Sequence, residues 1–166
     1  MTFADIPNNA AVFIDANTFV YHFTLDPVLA VPCTQLLDRI ARQEIRGMTA
    51  ADVLNDVAHR VMVLEAATVL GWTGTGITKR LRQQPAEIKR LTRFRQAVQE
   101  VPGFGIQVVP VTSSLVETAT AVSQQCGLLS GDALIVAVMQ QYGITDLASL
   151  DSDFDHVAGI TRYSPV

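Results

Sequence analysis

Residues 130–157, SGDALIVAVMQQYGITDLASLDSDFDHV, decide the fold of this chain. An apolar helical stretch (SGDALIVAVMQQYG) runs into a short strand-like segment (ITDLASL) and then into three acids, Asp151, Asp153 and Asp155. A helix that feeds directly into a buried strand is half of a βαβ unit. The same alternation extends upstream. AVFID (11–15) reads as a buried strand, and 17–24 as the start of a helix that Pro27 disturbs. PCTQLLDRIARQ (32–43) reads as a helix with Pro32 in its first turn and Leu36, Leu37 and Ile40 on one face. EIRGMT (44–49) is a short strand, and Thr49 is expected to cap a long helix over about 50–70. GWTGTG (71–76) ends that helix, a basic helical stretch follows, and Pro85 is expected to start a helix over 85–99. GIQVVPV (105–111) is a strand, SSLVETATAVSQQC (113–126) a helix, and the tail AGITRYSPV (158–166) holds a last short strand. Strands alternating with helices imply an α/β fold with a parallel sheet, here of four to five strands, and helices on both faces in three α/β/α layers.

The chain has 166 residues and shows no repeat, low-complexity tract or linker, so one domain over 1–166 is expected. At 49% hydrophobic and 17% charged it fills a core and is too apolar for disorder. No apolar run is long and charge-free enough to span a bilayer, and MTFADIPNNA lacks the regions of a signal peptide. The expectation is a cytoplasmic protein with no membrane partner. Cys33 and Cys126 stand far apart in no metal-like spacing and read as free thiols.

The chemistry-bearing positions follow from the alternation. Asp15 closes the first strand with Asn17 two residues on, and Asp132 opens the apolar helix behind Ser130, its expected cap. Ser149, Asp151 and Asp153 follow the strand at 144–150. On the long helix Asp52, Asp56 and His59 share a face; Asp52 and His59 read as solvated, and Asp56, bracketed by Val53, Val57 and Val61, as the ligand candidate. Acids at strand ends and helix starts meet where α/β folds bind ligands. Brought together, like charges repel by roughly 4 kcal/mol per pair at 4 Å in a surface-like dielectric, so such a group calls for a divalent cation. Mg²⁺ suits hard oxygen donors and keeps waters. Metal-assisted hydrolysis of a phosphate ester is the chemistry that follows.

Net charge is −4, which looks wrong for a nucleic-acid binder, but the distribution matters more than the sum. Seven of the 12 Lys and Arg fall between 79 and 95: Lys79, Arg80, Arg82, Lys89, Arg90, Arg93 and Arg95. Five of the 16 acids fall between 132 and 155. An acidic centre with a basic segment is what cutting a polyanion needs. Other chemistries lack their motifs. The glycines at 71–76 fit neither a phosphate loop nor a dinucleotide fingerprint, there is no Gly-x-Ser-x-Gly elbow, and His22, His59 and His156 make no zinc pair.

FIDANTFV, VLNDVAHR, SGDALIVAVMQQYGI and LASLDSDFDHVAGITRYSP, in this order over nearly the whole chain, resemble the PIN-domain nucleases, most of all the VapC-type toxins of toxin–antitoxin pairs. The resemblance implies a metal-dependent endoribonuclease using Mg²⁺ or Mn²⁺, with Asp15, Asp56, Asp132 and Asp151 as the acidic catalytic and metal site. Asp153 would be an accessory metal acid, and Asn17 and Ser149 supporting residues. It also implies RNA as substrate, a small antitoxin as partner and a homodimer, with the apolar helices at 32–43 and 50–70 as contact surfaces. The chain departs from the pattern in carrying Asp56 where the family usually has Glu, and Ser149 where it often has Thr. From charge alone, Lys79, Arg80, Arg82, Lys89, Arg90 and Arg93 are candidate RNA contacts. Two other readings stay open at this point. One is a haloacid-dehalogenase-like phosphatase, which Asn17 and the lack of Lys after residue 95 count against. The other is a degenerate PIN domain that binds RNA or a partner without cutting.

Overall fold

The computed structural model describes residues 1–166. Five parallel strands, β1 (Ala11–Ile14), β2 (Arg46–Ala50), β3 (Gln107–Val109), β4 (Asp146–Ala148) and β5 (Thr161–Tyr163), form one sheet in the order β3-β2-β1-β4-β5. β1 is central, and three of its four residues are buried, which explains a continuous apolar run rather than an alternating one. The helices are α1 (Ala16–Thr24), α2 (Ala30–Ala41), α3 (Ala51–Val69), α4 (Ile77–Gln83), α5 (Pro85–Ile88), α6 (Arg93–Glu100), α7 (Ser113–Cys126) and α8 (Ser130–Tyr142).

Chain direction distributes them. From β1 to β2 to β3 the chain steps one way across the sheet, and right-handed crossovers put α1 to α6 on one face. It then returns past β1 to β4, which carries α7 and α8 to the other. The packing agrees, since α1 meets α2 and α3, α3 meets α6, and α7 packs on α8. α8 buries Ala133 and every residue from Ile135 to Met139, so it is apolar nearly all round, as a helix enclosed by other elements must be. A core of 37 buried residues joins both faces through the sheet, and no single helix is long and apolar enough to cross a membrane.

Three local expectations fail for physical reasons. Thr49 does not cap α3: it is fully buried in β2, where its hydroxyl donates to the Ile14 carbonyl at 2.9 Å, and the cap position falls to Ala50 without a side-chain bond. Ser130 is the first helical residue of α8 and not its cap, which is Leu129. The helix expected over 85–99 is two short helices broken at Lys89–Thr92. The break is made by Glu65 of α3, whose buried carboxylate accepts the backbone N–H groups of Thr92 (2.8 Å), Arg93 (3.0 Å) and Phe94 (3.4 Å). These are the orphan donors at the start of α6, satisfied from a distant helix instead of a local cap.

β2 also sets a packing limit. A Cβ at Gly47 would lie 3.0 Å from both Ile40 Cδ1 and Ile40 Cγ2 and 3.1 Å from Ile106 Cγ1. Gly47→Ala should therefore lower stability by on the order of 1 kcal/mol through overpacking, seen as a lower urea midpoint with an unchanged slope. An unchanged midpoint would mean that Ile40 simply repacks.

Candidate active site

The order β3-β2-β1-β4-β5 reverses direction between β1 and β4, and a crevice at such a switch point is where open α/β sheets bind ligands. Register brings two functional side chains there together. Ile14 pairs with Ala148, so the next residues on each strand, Asp15 and Ser149, are neighbours at the carboxyl edge. Asp15 is only 8% exposed, and its N–H still reaches the Ala148 carbonyl. Its Oδ1 accepts the N–H of Ala16 at 2.6 Å, and its Oδ2 accepts Asn17 Nδ2 at 2.8 Å and Ser149 Oγ at 2.7 Å. Three donors occupy three of about four lone-pair directions of an ionised carboxylate, leaving room for one more positive partner. Burial pushes the Asp15 carboxyl up, while Ser149, the Ala16 amide, Asn17 and the charge of Arg60 pull it back.

Ser149, itself fully buried, links two of the acids. While its hydroxyl donates to Asp15, it accepts the N–H of Asp151 at 3.0 Å. Asp151 in turn caps a 3-10 turn over Ser152–His156, its Oδ1 accepting the Asp153 N–H at 2.9 Å. Phe154, buried in the core, pins that turn. The third nearby acid, Asp155, is structural: Arg162 grips it with two bonds of 2.7 and 2.8 Å and also donates to the Ser149 carbonyl at 3.2 Å.

Asp132, in the first turn of α8, is the electrostatic focus. Its carboxyl is raised by desolvation first, and then by Asp151, Asp15, Asp153 and Asp56 in that order. The other four acids singled out in the sequence thus all bear on Asp132. Asp56 differs from its expected setting. It is exposed rather than close to the core, and its partner is Arg60, one turn on, with Arg60 Nη1 3.7 Å from Asp56 Oδ2. Asp52 and His59 are exposed as expected.

The donor set is all hard oxygens, which suits Mg²⁺ or Mn²⁺, with Arg60 beside Asp56 and Arg162 close to Asp151 as the nearby cations. As placed, no three acidic or histidine side chains converge on one point.

A family model for the PIN domain matches residues 12–160. The chain belongs to the PIN domain family. Ribonuclease VapC13 of Mycobacterium tuberculosis is 26% identical over 152 residues, covering 91% of this chain and 98% of that protein. Among solved structures, VapC20 of M. tuberculosis, a toxin that cleaves the sarcin–ricin loop, superposes with a TM-score of 0.57 at 18% identity over 89% of this chain and 95% of its own. A toxin–antitoxin complex from Klebsiella pneumoniae gives 0.55 at 17% identity over 93% and 98%. At these identities the solved structures establish the shared fold, whose five-stranded parallel sheet is the one described above.

The basic segment of this PIN domain follows α3 and folds back onto it, with the Arg93 amide bonded to Glu65 of α3. α4 to α6 follow the far end of α3, and Asp56 and Val69 lie 13 residues apart on that helix, roughly 20 Å along its axis. All seven cations are exposed, but three have partners. Arg80 stacks over Trp72 at 5.1 Å, Arg90 pairs with Glu87, and Arg93 donates to the Phe23 carbonyl at 2.8 Å. Lys79, Arg82, Lys89 and Arg95 project without ion-pair partners. Sequence reading passed over Arg60 and Arg162. Arg60 had a signal, its i+4 spacing from Asp56; Arg162 had none, because β5 pairing alone brings it to Ser149.

Proposed function

We propose that this PIN domain is a Mg²⁺- or Mn²⁺-dependent endoribonuclease, the toxin of a toxin–antitoxin pair. The observation that carries the reading is Asp15, buried at the switch point of the sheet, fixed by three donors and tied through Ser149 to Asp151, with Asp132 raised by both of these acids. The ribonuclease relatives support the substrate class.

In this reading Asp15, Asp56, Asp132 and Asp151 hold the ion, with Asp153 as an accessory acid. A bound ion would supply a water of lowered pKa and offset the charge that develops on the phosphate. The protein's own share is positioning. Asn17 and the Ala16 amide favour the ionised Asp15 carboxylate and orient it, and Ser149 links Asp15 to Asp151. Arg60 balances part of the acid charge at Asp56 and Asp15 and would be a donor for a phosphate oxygen of the substrate. No protein nucleophile is needed. Purified protein should cut a mixed structured RNA with Mg²⁺ or Mn²⁺ and stop cutting in EDTA. Cutting that persists in EDTA would sink the metal-dependent reading, and folded protein that neither cuts nor binds metal would favour a domain that only binds.

The exposed cations Lys79, Arg82 and Lys89, with Arg80, Arg90 and Arg93, are proposed to hold RNA backbone away from the cut. Neutralising Lys79, Arg82 and Lys89 together should weaken RNA binding and flatten its dependence on salt. For a single strand the log–log slope should fall by about 0.7 for each phosphate that no longer meets a cation. Identical slopes in filter binding would remove these residues from the interface. An antitoxin and a second copy of the chain are the proposed protein partners. Exposed Val31, Leu64 and Val69, beside Leu25 and Val28, put unburied apolar surface on the α2 and α3 side expected for such contacts.

A further inference from the structure

A cavity of about 310 Å³ opens between the first turn of α3 and the corner where α7 meets α8. That is the lower end of the size range of small-ligand sites, roughly 300–1,000 Å³. Val116, Ala119 and Leu134 give it an apolar lining, and Asp52, Thr120 and Ser130 give it polar groups. It adjoins the acid site covalently on both sides. Asp52 precedes Asp56 by one helical turn, and Ser130 and Gly131 directly precede Asp132. The wall at Gly131 is open, since a Cβ there would meet nothing within 4 Å.

The polar groups have an uneven pattern. Thr120 donates its hydroxyl proton to the Glu117 carbonyl at 2.7 Å, which leaves that oxygen an acceptor toward the cavity. Asp52, Ser130 and Thr120 are all exposed. The Asp52 carboxylate and the Ser130 hydroxyl have no hydrogen-bond partner within the fold, so both are free to meet a ligand from solvent, and an ionised carboxylate only accepts. Asp52 does nothing for the acid site's internal bonding, which runs through Ser149, Asn17 and Arg60.

We propose that this cavity holds the guanine base of a nucleotide next to the scissile phosphate, with Asp52 accepting from guanine N1–H and N2–H and Ser130 donating to O6. The choice among bases follows from donors. Guanine alone offers two adjacent N–H donors on its Watson–Crick edge; adenine and cytosine offer one amino group there, and uracil one imino group. Single-stranded RNA presents that edge, and the apolar lining takes the face of the base. The RNA comes from the nuclease reading above, on which this inference rests; the base preference is its own claim.

The test is cleavage of an unstructured RNA pool of random sequence, with every cut mapped, by wild type, Asp52→Asn and Ser130→Ala. Wild type should favour guanine at one fixed position beside the cut by on the order of 10- to 100-fold, and Asp52→Asn should flatten the base distribution at that position. Cuts without guanine enrichment, or enrichment that survives in Asp52→Asn, would overturn the pocket and leave the nuclease standing. A binding arm covers the case of no cutting. GMP, and not inosine, adenosine, cytidine or uridine monophosphate, should shift the backbone amide resonances of Thr120, Ser130 and Gly131 in wild type and not in Asp52→Asn. Such shifts without cutting would keep the guanine site and sink the nuclease. Equal response to all five nucleotides, or none, would overturn the site.

Discussion

Asp15→Asn and Asp132→Asn should each lower single-turnover RNA cleavage at least about 100-fold, beyond the usual loss when only a ligand's supporting bond is removed. Their effects on stability should have opposite signs. An Asn at 15 keeps one acceptor oxygen, and its NH₂ faces donors from Ser149, Asn17 or Ala16. Mispaired buried donors of this kind cost about 1–3 kcal/mol, so this variant should melt lower. Asp132 instead sits among four like charges. Its carboxyl titrates above the usual range, so the folded state prefers it neutral, and removing its charge at pH 7 should raise the melting temperature by a few degrees. The pH dependence has the matching sign. Asp132's contribution to stability is present at low pH and lost as pH rises through its raised pKa, so the difference between wild type and Asp132→Asn should shrink on acidification. Mg²⁺ should shrink it too, by binding the wild-type folded state. Melting curves of both variants across pH, with and without Mg²⁺, check this. Asp132→Asn melting lower at pH 7 would mean that its carboxylate is held by bonds and not opposed by charge.

The largest structural effect is expected at Glu65, far from the acids. It is 7% exposed on α3 and accepts three successive backbone N–H groups at the start of α6. Glu65→Ala leaves those amides unpaired at a partly buried position. The loss should be about 3 kcal/mol, or roughly 6–12 °C in melting temperature for a chain of this size. Glu65→Gln, which keeps one acceptor, should fall between the two. Hydrogen exchange at Thr92, Arg93 and Phe94 should accelerate in Glu65→Ala ahead of the β1 amides, because this contact holds the start of α6, and the preceding α4 and α5 pack on a small cluster around Ala66, Leu81 and Leu91. A change within about 0.5 kcal/mol would show that water replaces the carboxylate at no penalty.

The alternation of strands and helices, a parallel sheet of four to five strands and the placing of Asp15 and Asp151 at strand ends on one edge were legible in residue order. Apolar runs of strand length followed by acids do not occur at random, and chain direction in a parallel sheet sends every strand end to the same edge. Asp56 was legible as a member and not as to its setting. Bracketing valines suggested burial, but the helix turns its carboxylate outward to Arg60. Capping was misread twice, because Thr49 and Ser130 have the right chemistry for a cap and tertiary packing used them otherwise.

The sequence by itself determined the order of the elements, the sheet's parallel sense and which acids could meet, since these depend on periodicity and strand direction alone. Only the tertiary structure decided that Ser149 bonds both Asp15 and Asp151, that Glu65 breaks a helix 27 residues on, that Arg162 takes Asp155 out of the acid set, and that the basic segment folds back onto α3 through α6. The physical reason is range. Periodicity and capping are read within a few residues, whereas a hydrogen bond to a buried group is set by where strand register and helix packing put its partner.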